Sequence, residues 1–352
     1  VRNAGGVLSA TSPPGGPTEV QRLLIEATFR SMTGHAVDVD HLPQLGPEDF
    51  AEHLRTRAQP FRMRTVHMMI LSALVLRPLP AEVAERVATY SEALGIDDTL
   101  LATVADFAAS DRALAAVDFE RNGYTADWSP ERSRALHTAS ELPSGWAAAD
   151  DDPALAARWQ ALGDLPDGTL GKRLHQFYQA RGFAVPGSPR SAPPLLAQHD
   201  WVHVLADYGT RVESELEVFA FIARANDDPR GFSLLAMVVS LFETGYLSEG
   251  AGLFEAFPGQ LSAEGMAVRV GDAMRRGALS HGLGDAPDVD FMSVDWFELA
   301  GLAVEDARAL FNIVDRSPEA VAAGSVTPWE PGGISEAQWA AGNAEAAIAG
   351  RS

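Results

Sequence analysis

Apolar residues along the chain recur at intervals of three and four. Convincing period-two alternation is hard to find, so the pattern predicts helices throughout. Val20, Leu23, Leu24 and Ala27 fall on one face of a helix running from Thr18, an N-cap with Gln21 three residues on, to Thr33, where Gly34 closes it. A short helix is predicted over 47–57, and Pro60 opens another that carries the apolar run 68–76 until Pro78 and Pro80 stop it. Helix 80–94 ends at Gly95, and Asp97 or Asp98 caps a long helix through Phe119.

Residues 125–155 are turn-rich and acidic and read as a linker. Beyond it, helices are predicted from Asp152-Pro153 to Leu162, over 172–180 closed by Gly182, and over 211–225, 231–247, 262–277 and 303–314. A terminal helix over 335–349 starts with Ser335 and Gln338 as a capping box. The expectation is therefore an all-α protein of two helical domains, 18–124 and 156–320. A flexible Gly/Pro/Ser-rich leader (1–17) precedes them and a Pro/Gly-rich tail (321–352) follows.

Composition removes several functions. The 352 residues carry 48 acids against 27 bases, a formal charge of −21, which argues against nucleic acid and against charge-driven binding to anionic lipid. With no cysteine, disulfides, thiolate catalysis and cysteine zinc sites are excluded. The single lysine, Lys172, removes Schiff-base chemistry from any site lacking it. The longest apolar runs, 68–76 and 232–242, fall well short of the ~20 residues of a spanning helix. No secretory h-region precedes them, so a cytoplasmic protein is expected, at most peripheral to the inner face of the cell membrane.

The candidate chemistry gathers in His199-Asp200-Trp201-Val202-His203, followed after eleven residues by Glu215. On a helix, His199 and His203 lie one turn apart on the same face and can converge on one divalent ion. Asp200 projects about 100° away. On a continuous helix Glu215 would sit about 18 Å along the axis from His203, too far to share an ion. Between them, however, Asp207-Tyr208-Gly209-Thr210 reads as a break, with Gly209 as C-cap and Thr210 as the next N-cap. The chain can then turn and return Glu215 over the histidines. In that reading Glu213 is the capping-box glutamate of the second helix and Glu217 a solvated acid. His67, inside an apolar run, reads as a core histidine. A metallopeptidase helix would need a glutamate where Asp200 stands. A His-Asp phosphohydrolase would need partners such as His137 or His175 with Asp272 or Asp295, which no motif supports.

The His-Asp-x-x-His-x11-Glu spacing of these residues resembles the ubiquinone biosynthesis family named coenzyme Q protein four (Coq-four). Leu165-Pro166-Asp167-Gly168-Thr169-Leu170-Gly171, with Phe177 and Gly182-Phe183, is similar to that family's upstream turn and helix. Arg275-Arg276-Gly277, Asp295-Trp296 and Leu310-Phe311-Asn312-Ile313 are similar to its C-terminal segment. The likeness covers about 155–315. Residues 18–124 resemble, more loosely, the small tellurite-resistance-B-like helical domains. The Coq-four resemblance implies a divalent metal, zinc or another transition ion, held by His199, Asp200, His203 and Glu215. It implies oxidative decarboxylation of a prenylated hydroxybenzoate-like ring, a similar enzyme in specialised metabolism, or a non-catalytic lipid-binding scaffold organising quinone biosynthesis. Asp200, the candidate catalytic residue, is placed either to orient a ligand or to move a proton. Its implied partners are a prenylated aromatic or isoprenoid lipid and other quinone-biosynthesis enzymes; a homodimer is a separate expectation that the resemblance does not carry. The run 232–242, with Val218, Phe219 and Phe221, reads either as ordinary core or as the wall of an isoprenoid slot.

Overall fold

The computed structural model describes residues 1–105, 152–226, 231–239 and 263–349, apart from 77, 99–100, 103, 190, 193, 233, 236–237 and 285. Among the described residues the chain is all-α, as expected. It has no strand, and one isolated bridge joins Thr169 to Ala303. The expected linker and the long helix through Phe119 lie almost entirely outside the described residues, as does most of 231–247. No described helix is long and apolar enough to cross a membrane.

The first region comprises α1 (Arg2–Thr11), α2 (Glu19–Thr33), α3 (Pro47–Leu54), α4 (Gln59–Leu74) and α5 (Ala81–Ala93). The segment expected as a flexible leader is α1, a helix with most of its side chains buried. Its glycines serve close packing rather than flexibility. A Cβ at Gly5 would lie 2.3 Å from the Pro43 carbonyl oxygen, and one at Gly6 would lie 2.2 Å from the Phe50 ring. The capping box of Thr18 and Gln21 forms, and Gly34 closes α2 in the left-handed conformation. The Gln21 amide also donates to the carbonyls of Thr11 and Ser72, joining α2 to α1 and α4. His67 is buried and paired with Asp98 at 2.5 Å, so Asp98 serves a core histidine.

The second region holds α6 (Pro153–Gln160), α7 (Leu170–Arg181), α8 (Pro194–Ala206), α9 (Val212–Ala225) and α10 (Met266–Leu279). After them come the short α11 (Trp296–Leu299), α12 (Val304–Leu310) and α13 (Pro318–Ala322), then α14 (Glu336–Ala349). The two regions touch along α2 and α10. Thr28 Oγ1 lies 3.7 Å from both Met68 Sδ and Met274 Sδ, and a Cβ at Gly271 would meet the Ala27 carbonyl at 3.0 Å. The C-terminal segment is equally engaged. The Ser335–Gln338 capping box forms at the start of α14, and Gly342 lies so close to α7 that a Cβ would be 2.4 Å from the Ala180 carbonyl.

α8 is apolar nearly all round and is buried on every side, as such a helix must be. The carbonyls of its last turn are satisfied by side chains. Arg276 donates to the Ala206 carbonyl at 2.8 Å and Arg308 to that of Leu205 at 2.9 Å, which caps the last turn with positive charge.

Candidate metal centre

The turn after α8 differs in detail from the sequence expectation. Asp207, not Gly209, takes the left-handed position (φ 66°), and the Tyr208 N–H reaches back to the His203 carbonyl at 3.0 Å, a Schellman closure. Gly209 instead allows the C-terminal segment to approach: a Cβ there would lie 2.7 Å from Gly333 Cα. Thr210 is no N-cap either. Its hydroxyl contacts Gln338 Oε1 at 2.7 Å and accepts from Arg181 Nε at 2.9 Å, so it is unavailable to α9, whose N-cap is Arg211 without a side-chain bond. Glu213 consequently makes no capping box. Glu217 is not solvated: it is fully buried and paired with Arg269 at 2.7 Å.

The turn nevertheless delivers Glu215 to the histidines. Glu215 Oε2 lies 3.4 Å from His199 Nε2 and 3.3 Å from His203 Nε2, and Asp200 Oδ1 lies 3.5 Å from His199 Nε2. His199, Asp200 and His203 each offer a ligand atom within 4.8 Å of the others. All four residues are buried, with exposures of 5%, 5%, 0% and 2% in chain order. His199, Asp200 and His203 form a buried triad that could hold a metal ion.

Two features of this cluster fit a cation. Nδ1 of His199 faces the Leu196 carbonyl, and Nδ1 of His203 faces that of Tyr208 at 3.2 Å. A carbonyl can only accept, so the Nδ1 atoms carry the hydrogens. In the neutral rings both Nε2 lone pairs are thereby turned toward carboxylate oxygens. That juxtaposition of lone pairs repels unless positive charge lies among them. The spacing is informative too. A charge-assisted N–H···O bond spans about 2.7–2.9 Å, whereas ligands about 2.0–2.1 Å from a tetrahedral ion stand about 3.3–3.4 Å apart. Three of the separations, at 3.3–3.5 Å, lie near the second, while His199, Asp200 and His203 as a set lie within 4.8 Å of one another; His203 Nε2 and Glu215 Oε1 are buried without a hydrogen-bond partner.

The protonation equilibria carry the same demand for positive charge. Burial pushes the His199 imidazole down, but Asp200, Glu215 and the Leu196 carbonyl outweigh it and hold the group at about 9. Burial pushes Glu215 up, yet the His203 and His199 imidazoles bring it to about 2. Asp200 is raised by burial despite both histidines.

Two residues of α7 that the sequence reading passed over adjoin the cluster. The Tyr178 hydroxyl donates to Asp200 Oδ2 at 2.5 Å. One turn on, Arg181 is fully buried and donates to Thr210 Oγ1 and to the carbonyls of Phe177, Pro328 and Gly333. Burial lowers its pKa to about 9, against the pull of Asp200 and Glu215. The signal is a spacing of three at the end of the helix predicted over 172–180, but nothing local says that this face meets Asp200. The hydrolase candidates stay apart from the cluster. Asp272 binds Arg275 and the Ser317 N–H, Asp295 caps Phe297, the His175 ring lies beside Gly163, and His137 lies outside the described residues. Val218, Phe219 and Phe221 are buried core, and the Phe219 ring lies 4.9 Å from that of His199.

The fold and cluster thus define an all-helical protein with a buried histidine–carboxylate group at the junction of α7, α8 and α9. No family model and no curated protein matches the chain. It is similar to a crystal structure from Nostoc punctiforme PCC 73102, provisionally described as a ubiquinone biosynthesis protein. Identity is 20% over 62% of this chain and 97% of that one, with a TM-score of 0.33. A likeness of that extent does not assign the chain to a family.

Proposed function

We propose that the cluster binds a divalent metal, zinc or another transition ion, in a protein of quinone-type biosynthesis that decarboxylates a prenylated hydroxybenzoate-like ring. The observation that carries the metal reading is the pair of Nε2 atoms turned onto Glu215 at 3.3–3.4 Å, with each Nδ1 facing a carbonyl. The reaction class rests on the resemblance of the His-Asp-x-x-His-x11-Glu spacing to the Coq-four family. A bound ion would supply a Lewis acid that holds a carboxylate or phenolate and stabilises negative charge as a carbon–carbon bond breaks. The chain's own part is to present His199, His203 and Glu215 in fixed orientation, to exclude bulk water by burial, and to offer the Phe219 ring as an apolar wall beside His199. Asp200 or the unpaired Glu215 Oε1 is the group placed to take a proton.

The burial of the whole cluster favours a second reading, since a structural ion is enclosed by protein ligands whereas a catalytic one keeps a position open. In that case the protein is a lipid-binding scaffold that organises quinone-biosynthesis enzymes. Metal analysis of the purified protein beside His203→Ala and Glu215→Ala tests the shared premise. About one ion per chain is expected in the wild type and much less in the variants. Absence of metal from the wild type, or equal content in the variants, overturns it. Carbon dioxide release from prenylated 4-hydroxybenzoates then separates enzyme from scaffold.

A further inference from the structure

The two carboxylates of the cluster are not equivalent. Glu215 has one oxygen on the histidines and the other, Oε1, buried with no hydrogen-bond partner. Asp200 also has one oxygen facing His199, at 3.5 Å, but its second is occupied by the Tyr178 hydroxyl at 2.5 Å. Tyr178 has little freedom to leave. Its ring is held between Trp159 at 5.4 Å and the edge-on Phe183 at 5.7 Å. α7, which bears it, is anchored at its start by the Leu170 and Gly171 N–H groups on the Leu302 and Ala300 carbonyls. The hydroxyl is thus a fixed donor on Oδ2, and the Oδ1 of Asp200 is the oxygen that faces His199.

From this asymmetry we infer that Tyr178 is a positioning residue. It holds Asp200 so that only Oδ1 is offered to the metal, and leaves Glu215 as the carboxylate with a second oxygen to give. The inference rests on the metal reading above and goes beyond it by giving the two acids different tasks. Asp200 is a one-oxygen ligand, and Glu215 is the residue free to bind through both oxygens or to accept a proton.

The test uses the full-length protein with Co(II), whose visible d–d absorption reports coordination number. Tyr178→Phe removes one oxygen and keeps the ring in its aromatic niche. Expected is a loss of about 10–100-fold in Co(II) affinity, the usual effect of losing an outer partner of a metal ligand. A fall in d–d intensity should accompany it as the freed Asp200 adds its second oxygen. In an Asp200→Ala background the same substitution should change neither quantity, because Tyr178 acts only through Asp200. Wild-type affinity and spectrum in Tyr178→Phe overturn the inference while leaving the metal site standing, and so does an equal loss in the Asp200→Ala background. A wild-type protein that takes up no Co(II) removes the metal reading and this inference together. Melting of the metal-free proteins separates a folding defect, which would leave the spectrum of the folded, loaded fraction unchanged.

Discussion

Replacing Gly277 with alanine sets two effects against each other, and the structure determines the sign. Gly277 lies inside α10, where helix propensity alone favours alanine over glycine by about 1 kcal/mol. The ideal Cβ, however, would sit 2.1 Å from the Phe221 carbonyl oxygen, 3.0 Å from its carbon and 3.1 Å from the Ala225 nitrogen, all backbone atoms of α9. No rotamer change relieves that contact, so the helices must separate by roughly 1 Å, which forfeits about a quarter to a half of the dispersion energy of each contact along the seam. Overpacking costs typically about 1–3 kcal/mol, and a rigid backbone obstacle places this case at the upper end or beyond. After the propensity gain is subtracted, Gly277→Ala should destabilise by about 2 kcal/mol or more. Because α9 also carries Glu215, metal affinity should fall with it. Urea unfolding provides the measurement, with Gly301→Ala as control, since a Cβ there meets nothing within 4 Å. An unfolding midpoint for Gly277→Ala equal to or above that of wild type would refute the packing argument.

Other outcomes follow from the same atoms. Gly6→Ala should destabilise measurably in thermal melts, because its Cβ would enter the buried Phe50 ring, whereas a flexible leader would tolerate it. Glu217→Ala should cost about 3–5 kcal/mol in denaturant unfolding, because it strands the buried Arg269 guanidinium. Changing both partners to methionine should cost less than the sum of the single changes. Burial raises the Asp290 carboxyl to about 6, above its unfolded value of about 3.9. Its contribution is therefore complete below about pH 4 and lost as pH rises through about 6, a change on the order of 3 kcal/mol. Asp290→Asn keeps an oxygen cap for the Met292 N–H and should flatten that part of the stability–pH curve. An unchanged slope would show that Asp290 is ionised in the folded protein at those pH values.

Local features were legible wherever a residue acts on its own neighbours. Thr18 with Gln21, Ser335 with Gln338, Asp152 before Pro153 and Gly182 after α7 all perform the capping roles their spacing implies. Each is completed within a turn, by backbone that the sequence itself supplies. Each expectation that the structure overturns concerns a residue drawn to a distant partner. Its position predicts Thr210 as a cap, but Arg181 and Gln338 engage its hydroxyl. Charge alone predicts Glu217 to be solvated, but Arg269 meets it across two helices. The glycines of α1 were read as flexibility, but they make room for Pro43 and Phe50.

The cluster itself divides the same way. The spacing of His199, Asp200 and His203 fixed which residues share a turn, because 3.6 residues per turn is a property of the backbone alone. The break at 207–210 permitted Glu215 to return. Whether it did return, and at 3.3–3.4 Å, depended on Arg276 and Arg308 closing α8, on Asp207 adopting the left-handed turn, and on the C-terminal segment binding Gly209 and Thr210 through Val326 and Gly333. The partnership of Tyr178 with Asp200 is set wholly by how α7 docks against α8. Periodicity names the face a side chain occupies. Only the packed tertiary structure settles what that face meets, since the meeting depends on the volumes and hydrogen bonds of segments far away in the chain.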